Sequence, residues 1–398
     1  MDLTLFQNEA IGELIPIAGS LPDGRSWTHM AFLPRPLPSS SPELTGRAYR
    51  HVAAARAALG ALDATSARLP NPRLFRGSTL RLEAQSTAAL EGTYEPLERV
   101  LTAAPDTDDP SLREVINYVV VAETAFGWSA QGRHMTVSNL SALQARLVEG
   151  TKDEREFSGQ LRPIQVVVGR RDEVSPNEIP VKAARYVPPP PGPDLEARLA
   201  DLLTWLQTSH ADDIDPVVAA AMGHYAFEAL HPFHDGNGRL GRLLIVLQLC
   251  TLGLLSEPTI SVSPWFEARR MQYYDALLRV STHGDWSTWV EFFAVGIAES
   301  ATVTTRRMVA LADAQASLKE RLKGSSIRTG NARVLIDFAV GRPTFTVTEA
   351  ATALGLKYPG TKKLIDSLVD LAILAPYDDR AYNRLFHAPE VLRILLGR

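Results

Sequence analysis

The chain has almost no cysteine. A single thiol, Cys250, stands in 398 residues, so no internal disulfide can form. A reducing, cytoplasmic setting is expected. Long apolar runs are also missing. The longest, Leu243 to Leu255, is interrupted by Gln248, Thr251 and Gly253, and a bilayer span takes roughly 20 apolar residues. It reads as a buried core helix that encloses the Cys250 thiol, and no membrane partner is expected. The opening residues MDLTLFQNEAIGEL lack the basic start and apolar stretch of a secretory leader, so none is expected. Charge of one sign is scarce too. Lys and Arg number 41 against 45 Asp and Glu, a net −4. That balance excludes a surface built wholesale for nucleic acid and leaves room only for a local basic patch. The H-E-x-x-H pattern of zinc proteases is absent.

What is present is ordinary globular composition, 45% hydrophobic and 22% charged, in a chain long enough for two or three domains. Up to about Leu44 the sequence is rich in Pro and Ser and reads as irregular. An Ala-rich stretch from Thr45 to about Asp63 reads as a helix, which Pro70 and Pro72 then break. A second helix is expected to begin near Ser78, as a cap, and to stop at Gly92. Two more helical patterns lie between Pro110 and Glu149. Ile164 to Val168 is β-branched and short, so it reads as a strand that opens a hairpin. Pro188 to Pro191 form a stiff elbow. Five helical patterns follow, up to a change of character near Gly324. Beyond it, three helices and a terminal hairpin have the plan of a winged helix-turn-helix. The expected partition is residues 1–110, 111–310 and 325–398, in a mostly α fold.

One stretch carries the chemistry: His231-Pro232-Phe233-His234-Asp235-Gly236-Asn237-Gly238-Arg239-Leu240-Gly241-Arg242. An apolar helix ends at His231. Gly236 and Gly238 let the backbone turn tightly, and a long apolar helix begins just after. Free N–H groups at a helix start attract phosphate. Arg239 and Arg242, three residues apart, are able to clamp successive phosphates. Asp235 is a hard oxygen ligand suited to Mg²⁺. His231 is able to take a proton from an incoming hydroxyl near neutral pH. Phe233 reads as a core anchor. A metal pair of His231 and His234 is disfavoured by Pro232 between them. Base, metal ligand and anion cradle together make a phosphoryl- or nucleotidyl-transfer site.

This stretch resembles the Fic family signature H-x-F-x-[DE]-G-N-G-R-x-x-R and matches every specified position. Family-like sequence extends from about Leu69 to Ala301. The resemblance implies a helical Fic core with a β-hairpin flap that docks a target peptide by strand addition, with Gln165 to Val168 as the expected edge. It implies transfer of AMP from ATP to a Tyr, Thr or Ser hydroxyl of a protein, with the chain itself as one candidate target. His231 would be the base and Asp235 the Mg²⁺ ligand. Asn237, with the Gly236 and Gly238 backbone, would hold the α-phosphate, while Arg239 and Arg242 would bind the outer phosphates. Tyr273 and Tyr274 would offer an aromatic wall to the base or pack in the core, where Trp286 and Trp289 are also expected. The resemblance is compatible with a homodimer.

A second segment, Thr87-Ala88-Ala89-Leu90-Glu91-Gly92, resembles the family's inhibitory motif [ST]-x-x-x-E-[GN]. Thr87 and Glu91 are i, i+4 on one helix face. The resemblance implies that Glu91 pairs with Arg242 and competes with phosphate for it. The same Glu is a candidate for orienting a water that removes AMP. Two alternatives therefore stand beside the transferase: an enzyme that removes AMP or moves another phosphate-containing group, and a nucleotide-sensing DNA-binding regulator. For the latter, Lys362 and Lys363 in the tail would meet DNA phosphates. Asp366, Asp370, Asp378 and Asp379 offset that charge.

Overall fold

The computed structural model describes residues 1–21, 24–69, 73–103, 107–210, 212–378 and 384–397, without the side chains of 73 and 74. Pro70, Pro72 and Asp379 lie outside the described residues.

The N-terminal stretch is not irregular. Strands β1 (Gly12–Ser20) and β2 (Ser26–Pro34) pair antiparallel, Gly12 opposite Pro34 and Ser20 opposite Ser26. Pro16 inside β1 masks the strand pattern, because proline removes a ladder donor. Glycine does so too. At Gly12 a Cβ would come 2.4 Å from the Phe32 ring, and at Gly19 2.4 Å from the Trp27 ring. Aromatic rings cover what look like weak strand positions.

Helix α1 (Gly46–Arg68) starts where the helical stretch was expected, and Thr45 caps it: its hydroxyl accepts from the Ala48 N–H. Helix α2 (Arg73–Leu90) begins before Ser78, which is buried inside it and caps nothing. Gly92 closes this segment at φ +97, a conformation glycine adopts without strain. Helices α3 (Leu97–Thr102), α4 (Pro110–Ala130) and α5 (Val137–Val148) follow. The flap comes next, with β3 (Val168–Arg170), the short α6 (Pro180–Ala183) and β4 (Ala184–Tyr186). Strand pairing joins Val168 to Tyr186 and Arg170 to Ala184, so the strand expected at Ile164 to Val168 is shifted toward the hairpin tip. The reason is local: the Ile164 carbonyl accepts from Arg162 and the Gln165 amide donates to the Pro188 carbonyl. The N-terminal hairpin joins the flap's base, with the Phe32 N–H donating to the Val187 carbonyl at 2.9 Å.

The centre is built from α7 (Pro193–Gln207), α8 (Pro216–Leu230) and α9 (Asn237–Thr251). Both α8 and α9 are buried on nearly every face, as core helices are, although they carry the polar residues of the site. Cys250 lies at the half-buried end of α9, unpaired, with burial pushing its thiol up to about 12. Helices α10 (Ser263–Glu267) and α11 (Arg270–His283) lead to α12 (Trp286–Lys323), 38 residues long. Trp289 is fully buried and Trp286 half-buried. On α1, Ala48, Val52, Ala55, Leu59 and Leu62 form a seam spaced four and three apart, and α1 packs along α12 on this seam. The chain then makes α13 (Gly330–Gly341), β5 (Phe345–Thr346), α14 (Val347–Leu354), α15 (Tyr358–Asp370), β6 (Ala375–Pro376), β7 (Leu385–His387) and α16 (Pro389–Leu395). The small sheet has the order β5-β7-β6, all antiparallel. Helix α2 is sandwiched, with α4 and α10 against it and α13 on another side. Among the described residues no helix is long and apolar enough to cross a membrane.

Candidate active site

The site is laid out by the join between α8 and α9. Helix α8 ends at Leu230, and His231 takes a left-handed conformation, φ 47 and ψ 58. A residue with a Cβ is strained there, so something must hold it. Arg162 does. Its Nε donates to the His231 carbonyl at 2.8 Å, its Nη2 reaches the Leu230 and Pro189 carbonyls, and its backbone N–H donates to the Pro232 carbonyl at 3.0 Å. A buried guanidinium thus satisfies the bare carbonyls of a helix end. Burial pulls Arg162 down to about 10, still charged at neutral pH.

His231 is half-buried, and its buried Nδ1 has no hydrogen-bond partner. Burial first, then the Arg162 charge, lower it to about 4. It is therefore neutral at physiological pH, the form that accepts a proton.

Between the helices, Phe233 is fully buried and anchors the loop. The Asn237 side chain braces that loop at both ends: its Oδ1 accepts from the Phe233 N–H at 2.9 Å, and its Nδ2 donates to the Phe233 carbonyl at 2.8 Å. Gly236, at φ +84, turns the chain into α9. Gly238 is needed for a different reason. A Cβ on it would lie 2.2 Å from Glu91 Oε1 and 3.0 Å from the Arg242 guanidinium.

The two motif arginines are equally buried and differently employed. Arg239 donates to Glu114 Oε1 at 2.7 Å and to Asp235 Oδ1, with Asp153 at 3.6 Å. Glu114's other oxygen accepts from the Thr93 hydroxyl at 2.7 Å. Arg242 donates its Nε to the Thr87 hydroxyl at 2.7 Å and its Nη2 to Glu91 Oε1 at 2.5 Å. Burial pushes the Glu91 carboxyl up, but Arg242 outweighs it and holds the group below the usual carboxylate range. Glu91 is thus an anion on the guanidinium of α9.

A cavity of about 340 Å³ opens beside this pair. His231, Gly238, Arg242 and Glu91 form one end of it. The flap strand β3 and the α11 residues Tyr273 and Tyr274 form its walls. Tyr273 is buried, its hydroxyl 2.7 Å from His224 Nε2, and Tyr274 donates to the Leu90 carbonyl at 3.1 Å. Both tyrosines therefore pack in the core and also present a wall to the cavity. Asn237, Asp235 and Arg239 lie outside its lining. Asp235 has one oxygen on Arg239 and is raised, chiefly by burial. Among the described residues no group of three or more metal-ligating side chains forms. Asp235 suits a metal that draws its other ligands from phosphate and water, the habit of Mg²⁺.

Four further charged residues shape the site and carry no motif signal. Arg162 seats His231. Glu114 pins Arg239. Glu228 lines the cavity. Glu83 fixes α2: its buried carboxylate accepts from the Ser261 hydroxyl at 2.8 Å and from the Ser263 N–H at 2.9 Å. The available signal was spacing, since Glu83 lies four residues before Thr87 and eight before Glu91, on the same helix face.

Residues 134–249, which hold the whole His231–Arg242 stretch, match the Fic/DOC family, and residues 49–127, which hold Thr87 and Glu91, match the Fic/DOC family N-terminal region. The chain thus carries a Fic/DOC family domain and, before it, the family's N-terminal region. Relatives of this Fic chain include the protein adenylyltransferase Fic of Drosophila virilis, 30% identical over 162 residues, which are 41% of this chain and 30% of that one. That of Aedes aegypti is 36% identical over 140 residues, 35% of this chain and 25% of that one. The match thus spans less than a third of these relatives' own length. A Fic family protein from Desulfovibrio desulfuricans shares the fold, with a TM-score of 0.53 and 23% identity over 88% of this chain and 98% of that one.

Proposed function

We propose that this Fic chain is a protein adenylyltransferase that transfers AMP from ATP to a Tyr, Thr or Ser hydroxyl of a protein, itself among the candidate targets, and that Glu91 restrains it. The observation that carries this reading is a neutral His231 in one cavity with Arg242 and the start of α9, while Glu91 occupies Arg242. The target hydroxyl oxygen attacks the α-phosphorus of ATP, His231 Nε2 takes the hydroxyl proton, and the bond to the β-phosphate breaks, releasing pyrophosphate. Gly236, Asn237 and Gly238 contribute backbone N–H groups at the helix start to the α-phosphate, and the Asn237 side chain keeps that loop in shape. Arg242, freed from Glu91, binds the outer phosphates. Asp235, steadied by Arg239, would hold Mg²⁺, which when bound neutralises phosphate charge. Tyr273 and Tyr274 face the adenine, and β3 of the flap presents its edge to the target peptide. The names of the relatives support the reaction, and the residues that match the family signature support the roles.

The test uses α-labelled ATP and Mg²⁺ with wild type, Glu91→Gly and Glu91→Gly/His231→Ala. Label on protein with Glu91→Gly that disappears in the double variant is expected. No label from any of the three, at ATP concentrations shown to bind, would move the assignment to removal of AMP, another transferred group, or nucleotide sensing. Release of AMP from modified protein by wild type but not by Glu91→Gly would instead favour the eraser, with Glu91 orienting water.

The second reading, a nucleotide-sensing DNA-binding regulator, is favoured by the C-terminal arrangement. We read α13, α14, α15 and the β5-β7-β6 sheet as a winged helix-turn-helix occupying residues 325–398, after a region 1–110 that opens with the β1-β2 hairpin and continues as helices, and a core 111–310. Lys357 and Lys363 of this module are exposed, while Lys362 is tied to Asp366 at 2.5 Å. Salt-dependent binding of duplex DNA that weakens in Lys363→Ala would support this reading, and no binding at low salt would remove DNA as a partner.

A further inference from the structure

One carboxyl of the cavity has no role in the transfer just described. Glu228 sits on α8, one turn before His231, and lines the cavity together with Glu91 and Arg242. Its Oε1 is buried and has no hydrogen-bond partner. It packs against the bare Cα of Gly241, where a Cβ would come within 2.4 Å of that oxygen. A buried acceptor without a donor is costly, and an unpaired buried carboxylate is more so. The local charge count shows why Glu228 has no counter-ion. Two carboxyls, Glu91 and Glu228, flank the Arg242 guanidinium, and Glu91 already holds it; of the other two arginines on the cavity, Arg185 is held by Asp275 and Arg270 lies over the Tyr274 ring.

Nucleotide binding does not relieve this shortage. The Glu91 carboxylate marks the place where an anion sits on Arg242. A phosphate that displaces it brings at least as much negative charge to the same spot. In either state Glu228 faces an anion across a shared cavity and has no cation of its own. An ionised carboxylate there would repel the ligand. A protonated one carries an O–H, and phosphate oxygens are strong acceptors.

We propose that Glu228 is a further ligand-binding residue of this site, a carboxylic acid that meets the outer phosphates of the nucleotide as a hydrogen-bond donor. The proposal rests on the nucleotide reading of the cavity. Burial raises this carboxyl to about 7 against the pull of Arg242, with a smaller upward push from Glu91; in a protein without Glu91, a phosphate on Arg242 supplies that push. The other titratable and charged groups around it are Glu91 just after α2, Arg242 from α9, Tyr273, Tyr274 and Arg270 from α11, Arg185 and Tyr186 from β4, His224 and Tyr225 from its own helix, and His231 at that helix's end. His224 and His231 are lowered to about 3 and about 4 by burial, and the tyrosines are raised. Glu228 is therefore the protein group around the cavity that titrates between pH 6 and pH 8.5. The sign follows. A neighbouring phosphate favours the protonated acid, so affinity is full below the carboxyl's pKa and is lost as pH rises through it, by at most about tenfold per pH unit for one proton.

The experiment measures binding of ATP and of AMP by calorimetry to full-length Glu91→Gly, and to Glu91→Gly/Glu228→Gln, from pH 6 to pH 8.5. Glutamine keeps an N–H donor and cannot ionise, and melting without nucleotide confirms that both proteins fold. A loss of ATP affinity of roughly tenfold across the range is expected with Glu228 in place, and a flatter profile in the Glu91→Gly/Glu228→Gln protein is the signature. Ionisation of ATP itself is common to both proteins and cancels in the comparison. AMP, which lacks the outer phosphates, is expected to show no difference between the two. Equal ATP slopes in both proteins would overturn the proposal, and an AMP difference as large as that for ATP would overturn the assignment to the outer phosphates. Failure of both proteins to bind ATP at any pH would instead sink the nucleotide reading beneath it.

Discussion

Arg239 and Arg242 leave the same helix three residues apart, both fully buried, and enter different neighbourhoods. Arg239 is turned toward α4 and the loop, where Glu114 and Asp235 enclose it away from the cavity. Arg242 is turned toward α2, where one partner is a hydroxyl and the other is the partly exposed Glu91 at the cavity's edge. The first arrangement is an ion pair shared between the buried Glu114 and the partly exposed Asp235, off the cavity lining. The second is an ion pair that a ligand is able to replace without opening the core. Burial alone does not tell these two arginines apart; whether the partner borders the cavity does.

That contrast is open to direct attack. Glu114→Ala leaves Arg239 short of a counter-charge in a dry site, and a stability loss of about 3 kcal/mol is expected in denaturant melts, the low end for a broken buried pair because Asp235 remains. A loss as small as that of a surface mutation would mean that Arg239 is not pinned as described. Glu91→Gly opens onto the cavity instead. It should cost clearly less stability than Glu114→Ala while raising AMP transfer roughly 10- to 100-fold, the worth of one charge-assisted hydrogen bond removed from the competition. Gly238→Ala pushes a methyl into Glu91 and the Arg242 guanidinium, so it should weaken the pair only in part. A several-fold rise in transfer, below that of Glu91→Gly, is the expected reading; a fall would show that the methyl obstructs ATP more than it loosens Glu91. The smallest effect concerns pH. With His231 held at about 4 by burial and Arg162, Glu91→Gly at saturating ATP should keep its rate between pH 8 and pH 5.5. A base of ordinary histidine pKa would lose about tenfold over that range.

The sequence disclosed the parts of this site that are collinear. His231, the turn glycines and both arginines fall within twelve residues, and each has a physical reason to be there. Thr87 and Glu91 were legible through the resemblance of Thr87–Gly92 to the family's inhibitory motif, with which their i, i+4 spacing on one helix face agrees. Glu114, Arg162, Glu83 and Glu228 were hidden because their partners arrive from other elements. In the sequence each is a charge on a helix or loop, which normally means a solvated face. The spacing of Arg239 and Arg242 suggested a shared face but not that different elements would claim each one. Helices capped by Thr45, Asp109 and Asp215 followed local rules. The N-terminal hairpin escaped because Pro16, Gly12 and Gly19 erase the alternating pattern that marks a strand, and ring packing restores what they remove.

Glu91 and Arg242 are separated by 151 residues, and order of manufacture follows from that distance. A polypeptide emerges from its amino end, so α2 is complete before α9 exists. At typical synthesis rates the interval is about 8–30 s. The glutamate is therefore already waiting when the arginine it will hold leaves the ribosome, and under the proposed restraint a newborn chain need pass through no unguarded stage on its way to the finished fold.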